Sequence, residues 1–251
     1  MRAKTTLLSI VAGLLLTCDV GAGGPRKLIE ARQLMPLPEG LTLPVRLSHG
    51  LKAGSVEAGT PVLCLTTQRI PVSATEYLPA GVQVLGSVEA SAPSLLTVHF
   101  RALRWRGRTI PALLETVAIA NFSNVEDTYD PVVGGGDREN NTPANWTTLQ
   151  VGGDVLTRFN WEGDVENRSS QRVGFSDFYG VYADPVPDST GAAALPHAVG
   201  VFSTTAQGLY GFAGTAMLKS GAGEFTVSAP GSVILRTGDQ LLLRVVVQKQ
   251  P

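Results

Sequence analysis

Side chains that could do chemistry are sparse in this chain of 251 residues. Its three histidines, His49, His99 and His197, stand far apart, and none has a second His or Cys at zinc-ligand spacing. His49 sits beside Gly50 in a turn, His99 lies mid-strand, and His197 follows Pro196 in a loop. HExxH, GxSxG, CxxC, the P-loop and a helix-opening GxGxxG are all missing. Oxygen ligands are better supplied. Asp127 and Asp130 flank Thr128-Tyr129, and Asp137 follows three glycines, a loop chemistry that could hold calcium, although the EF-hand order is absent. The same acids could pair for glycoside hydrolysis, which needs two carboxylates at a set separation. Solvated loop acids are the simpler reading, so no catalytic residue, metal or cofactor is assigned.

Binding chemistry is a second possibility. Trp146, Trp161, Tyr179 and Tyr182 fall in one stretch of the chain and carry flat faces that could stack on sugar rings. Arg101, Arg104, Arg106 and Arg108 cluster about one tight reversal. A polyanion patch would use such residues, but so would a solvated turn or a protected edge strand, and no nucleic-acid contact is expected. Cys64 lies in the apolar run Pro61-Val-Leu-Cys-Leu and reads as a buried, inert thiol.

The elements that must position these residues read as strands. Aromatic content is 6%, so aliphatic residues fill the core; 28 Gly and 16 Pro point to many turns and few long helices. Leu78–Val88, LPAGVQVLGSV, couples a Pro-Gly turn to an apolar run. The same grammar recurs in Leu37–Leu47 and Ala229–Val247, three similar corners of one β architecture. Leu41, Leu43, Val45 and Leu47 alternate with Thr42, Pro44 and Arg46, where Pro44 argues for an edge or a bulge. Leu95–Trp105 and Thr109–Ala120 form a hairpin about Arg106-Gly107. The closing run Leu241–Val247 is apolar enough to pair centrally.

Two regions depart from this grammar. Residues 121–197 are rich in Asn, Gly, Asp and Ser; from Glu126 to Asp188 there are 12 acidic and 4 basic residues in a chain of net charge −1. This stretch is expected to be an irregular acidic insertion, partly ordered by Phe175, Phe178, Tyr179 and Tyr182. Between Ala198 and Ser220, glycines at 208, 211 and 214 beside Leu209, Phe212 and Met217 suggest a short helix with a small-residue face, packed on a sheet or against a membrane.

The first residues read as an export signal. Arg2 and Lys4 precede the apolar Leu7–Leu16, and Val20-Gly21-Ala22 offers a cleavage site between Ala22 and Gly23. Cys18 in Leu15-Leu16-Thr17-Cys18 offers a second outcome, acylation as in bacterial lipoproteins. Residues 1–22 are then the signal, 23–36 a basic lead-in, 37–120 the first part of a barrel, 121–197 the insertion, and 198–251 the helix and closing strands.

The segments LPEGLTLPVRLSHGLKAGSVEAGTPVLCLTT, YLPAGVQVLGSV, LLTVHFRALRWRGRTIPALLETVAI and FTVSAPGSVILRTGDQLLLRVVV together resemble the TrbI-like β-barrel of conjugal-transfer, type IV secretion scaffolds and its small secreted bacterial relatives. The likeness covers about half the chain, and its motifs are turns and strands rather than reactive residues. A transmembrane start and a Pro-rich arm, both usual in that family, are missing. The resemblance implies a barrel of the bacterial cell envelope. The expected fold is therefore all-β, a single barrel or sandwich with an irregular insertion and one short Gly/Ala-rich helix. The expected role is non-enzymatic, structural or protein-interacting, in the periplasm or at the outer membrane. Self-association is allowed for, and membrane contact comes only through a lipid anchor or an envelope complex. A glycan-binding module is the alternative, and a hydrolase using Asp127, Asp130 and Asp137 the third reading.

Overall fold

The structure, a computed structural model, describes residues 37–121, 132–133, 146–149, 151–158, 163–185, 195–220 and 223–246; 132–133, 146–149, 155–158 and 219–220 are described by backbone alone. Every regular element among them is a strand. The first group is β1 (Thr42–Leu47), β2 (Leu51–Lys52), β3 (Pro61–Thr66), β4 (Ile70–Pro71), β5 (Tyr77–Leu78), β6 (Gln83–Ala92), β7 (Leu95–Trp105) and β8 (Arg108–Ala120). The second is β9 (Val132–Val133), β10 (Trp146–Leu149), β11 (Val155–Arg158), β12 (Gly163–Glu166), β13 (Arg172–Asp177), β14 (Gly180–Ala183) and β15 (His197–Ala198). The chain closes with β16 (Gly208–Tyr210), β17 (Ala216–Ser220), β18 (Glu224–Ser228), β19 (Ile234–Leu235) and β20 (Gln240–Val246).

Six antiparallel strands close a barrel in the order β8-β20-β1-β3-β6-β7, with β7 pairing back to β8. Alternation fills it with aliphatic side chains: Leu43 and Val45 of β1, Val62 and Cys64 of β3, Val84 of β6, Leu114 of β8, Leu241 and Leu243 of β20 are all buried. Phe100 of β7 stacks on Phe225 of β18 at 6.2 Å. The last strand is central, paired with β1 on one side and β8 on the other. Its apolar run, interrupted only by Arg244, follows because Leu242, on the outer face, is buried as well. The β7–β8 hairpin turns through Arg106 (φ 49°) and Gly107 (φ 73°), the positive-φ pair of a type I′ turn.

Pro44 is not at an edge: β1 lies between β20 and β3. The Pro44 carbonyl accepts from Thr67 N–H at 3.0 Å, so the nitrogen also faces β3, just where the β1–β3 ladder, which pairs Val45–Leu47 with Cys64–Thr66, has stopped. A missing donor there breaks no rung.

The barrel has an internal two-fold relation that exchanges β1 with β3, β20 with β6 and β8 with β7. Pro44 opposite Leu242 opposite Ala118 in one half answers to Leu63 opposite Leu85 opposite Ala102 in the other. The bulge between Leu242 and Leu243 answers to that between Leu85 and Gly86. The corners match too. Gly40 N–H donates to Val245 O at 2.9 Å and Gly59 N–H to Val88 O at 2.7 Å; Gly238 N–H donates to Leu47 O and Gly81 N–H to Thr66 O, both at 2.8 Å. All four glycines have φ between 77° and 93°, the region that only glycine enters cheaply. A proline stands two residues before Gly40 and Gly81; Gly59 has its proline after it, at Pro61, and Gly238 has none beside it, so the corner of the last segment is Thr237-Gly238 and not the Pro230-Gly231 expected from the sequence.

No helix occurs among the described residues, and none of them forms a helix long and apolar enough to cross a membrane. The Gly/Ala-rich segment expected to be helical instead holds β15, β16 and β17. Gly208, Gly211 and Gly214 have φ of 83°, 77° and 67°, each incompatible with a right-handed helix, so their spacing of three marks successive turns. β16 pairs in parallel with the end of β8, and β18 pairs with the start of β7 and carries β17. These strands fill the place where β7 and β8 diverge.

The segment from 132 to 198 carries a second antiparallel sheet, in the order β15-β14-β13-β12-β11-β10-β9. It packs through Val165, Val181, Ala183 and Val199. Residues 198–206 then cover the outer face of one barrel half. Thr42 Oγ1 donates to Ala198 O at 2.7 Å, and Phe202, Ala206 and Val151 bury Ala118, Ala120 and Leu242. Buried Asp154 pins this cover by accepting from Thr204 N–H (2.6 Å) and Thr204 Oγ1 (2.9 Å).

Candidate functional site

The strongest binding constellation is built where a barrel loop meets the β13–β14 hairpin. In Asp177-Phe178-Tyr179-Gly180 the Asp177 carboxylate accepts from Tyr179 N–H at 2.7 Å and Gly180 N–H at 3.0 Å, closing a two-residue turn with Phe178 and Tyr179 at its tip. Gln68 clamps this hairpin to the barrel. Its Oε1 accepts from Val181 N–H at 3.1 Å and its Nε2 donates to Val181 O at 2.9 Å, as a neighbouring strand would. A Cβ at position 180 would lie 2.5 Å from the Gln68 amide carbon, so any residue but glycine there would displace the clamp.

Arg69 follows the clamp. Its guanidinium carbon lies 4.4 Å from the Tyr77 ring centre and 4.2 Å from that of Tyr179, so the cation is held between two rings. Phe178 meets Tyr179 edge-on at 5.5 Å. Phe178, Tyr179 and Tyr77 are 76%, 53% and 50% exposed, three of the five exposed large hydrophobic residues among those described. The cluster offers aromatic faces and a delocalised cation on a rigid base. It contains no nucleophile with an adjacent base.

Of the residues expected to stack on a ligand, Tyr179 stands at this tip. Tyr182 does not: it is buried, stacked on Phe175 at 5.1 Å, with its hydroxyl donating to Arg69 O at 3.2 Å. Burial, and then the Asp177 charge, push that hydroxyl up to about 12 against the opposing pull of Arg69. Trp146 opens β10, opposite Arg158 and Val133. Cys18, Ala22, Gly23, Asp127, Asp130, Asp137 and Trp161 lie outside the described residues. Arg69 and Tyr77 were missed in the sequence because they sit about a hundred residues from Tyr179; the turn grammar of Asp177–Gly180 was the available signal for an exposed tip.

Among the described residues the other reactive groups form no second constellation. His99 Nδ1 accepts from Arg101 Nε at 3.3 Å while lying 3.9 Å from Glu89. The Arg101 guanidinium pairs closely with the Glu89 carboxylate. Glu89 is held below the usual carboxylate range, first by the Ser87 hydroxyl. Cys64 is fully buried and its thiol is pushed far up by burial. Among the described residues no group of three His, Cys, Asp or Glu could hold a metal ion. A shallow cleft of about 190 Å³ lies between Phe212, Ile234 and Arg236; its one carboxylate, Asp239, is fully buried and accepts from Arg236 N–H at 2.6 Å within the corner turn.

No family model, no curated protein and no solved structure matches the chain.

Proposed function

We propose that the chain is a non-enzymatic protein of the bacterial cell envelope, exported to the periplasm or the outer membrane, in which a TrbI-like barrel acts as a scaffold and the Arg69–Tyr77–Tyr179–Phe178 cluster is the contact surface for a protein partner. One observation carries this reading: the exposed aromatic residues among those described are gathered about one cation and held by the Gln68–Val181 clamp. Exposed aromatics beside arginine are the residue types that anchor interfaces. The export signal and the pattern of corners support the compartment.

A photo-crosslinking aromatic placed at Phe178 tests it in the native envelope. The expected result is one protein adduct that disappears with Arg69→Ala and with Tyr179→Ala. The outer faces of Tyr77 and Tyr179 favour a second reading, a glycan site. Glycan-array hits lost with Tyr77→Ala, together with no protein adduct, would replace the first reading by the second.

A further inference from the structure

The internal two-fold relation gives the barrel two equivalent outer faces with different fates. On one, Pro44, Leu242, Ala118 and Ala120 are buried under Gly200, Phe202 and Ala206. Their counterparts on the other are Leu63, Leu85, Ala102 and Arg104, and these stay half-buried or exposed. Leu63, Leu85 and Ala102 run directly across three strands, so they form one apolar stripe perpendicular to the strands. Arg46 and Arg104, both exposed, rim it on the same side, next to the Arg106 turn.

We propose that this stripe is a self-association surface that takes the acidic region of a second copy of this chain. Two observations choose the occupant. The rim is cationic, while the segment from Glu126 to Asp188 of every copy carries 12 acids against 4 bases. The equivalent face of the same barrel already binds the segment that leads out of that acidic region, through small residues and one phenylalanine. The cationic rim favours the acidic sheet over a second stripe, which brings no carboxylate to it, so the contact is stripe to acidic sheet. Such a heterologous contact does not close on itself and adds copies in a row.

Sedimentation velocity of the full chain tests this as concentration and salt are varied. The expected result is a mass that rises past two copies with concentration at about 50 mM salt and returns to one copy near 500 mM, where screening is strong. Leu85→Asp should abolish the rise with only a small drop in melting temperature. Arg104→Glu, at an exposed position, should weaken association by roughly tenfold or more. A single copy at every concentration in low salt overturns the proposal. So does a closed dimer indifferent to salt. A Leu85→Asp protein that loses stability instead of association would show the stripe covered from within its own chain, and would equally overturn it. Phe178 lies on the acidic sheet itself, so an adduct of the chain with its own second copy that vanishes with Leu85→Asp belongs to this contact. An adduct with a different protein that survives Leu85→Asp belongs to the partner surface, and the two proposals fail separately.

Discussion

The halves β1-β20-β8 and β3-β6-β7 share one hydrogen-bond pattern, one bulge position and one kind of corner, yet they differ inside and out. Inside, Leu243 stands opposite Thr116 where the other half sets Gly86 opposite Phe100, a large and a small residue exchanged across the ladder. Outside, among the described residues, one half is covered by this chain and the other is not. Backbone pairing therefore sets the scaffold, while side-chain volume and burial are free to diverge, provided each layer is filled.

The largest test exchanges the inner pair. A Cβ on Gly86 would lie 2.5 Å from His99 O and 2.7 Å from the Phe100 ring. Gly86→Leu should cost about 3 kcal/mol by overpacking, and Phe100→Val about 3 kcal/mol by leaving a cavity. The double variant imitates the other half and should lose about 1–2 kcal/mol less than the sum of the two in urea unfolding. Strict additivity would mean that the two side chains do not compete for one volume, and the exchange would be an empty coincidence.

The outer faces give the next effect. Leu242→Ala removes a buried side chain from beneath Phe202 and should cost about 2–4 kcal/mol. Leu85→Ala, at the equivalent position, should cost about 1 kcal/mol or less in the isolated chain, because half-exposed surface gains less from burial. Equal losses would show that both faces are covered, and the contrast between the halves would collapse.

Much of this scaffold was legible in the sequence. The Pro38–Gly40 and Pro79–Gly81 corners, the Arg106-Gly107 hairpin and the apolar last strand each carry a local signal that tertiary structure does not override. The two-fold relation was hidden because equivalent strands are out of chain order, with β1 and β20 at opposite ends. Gly208, Gly211 and Gly214 misled because a spacing of three is shared by a helix face and by successive turns; only φ distinguishes them. The aromatic cluster failed for a further reason. Tyr182 and Tyr179 read alike as residue types, but two positions in from the Gly180 end of the hairpin points one ring into the structure, while the tip leaves the other in solvent.

The corners should respond equally in both halves. Gly40 and Gly59 have φ of 77° and 86° and no heavy atom within 4 Å of a built Cβ, so alanine meets a backbone cost without a clash. Gly40→Ala and Gly59→Ala should each lose about 1–2 kcal/mol, and the two values should agree. A large inequality would mean that the shared hydrogen bonds hide different strain.

The smallest effect belongs to the covered half alone. His197 in β15 pairs with Ala183 and is held below its ordinary value of 6.5, first by burial and then by the charge of Arg244 on β20. The folded chain therefore prefers the neutral imidazole more strongly than the unfolded chain does. Above pH 6.5 both are neutral and the cover is intact. As pH falls below 6.5 the unfolded chain takes up the proton first, so stability declines until the folded-state value is passed. His197→Gln should flatten that part of the stability–pH curve while leaving the region above neutrality unchanged. Hydrogen exchange should locate the weakening in 197–206 and the β1 residues beneath it, with β3 and β6 unaffected. Loosening of both halves together would mean that proton uptake acts on the whole barrel, and that the cover has no separate energetic identity.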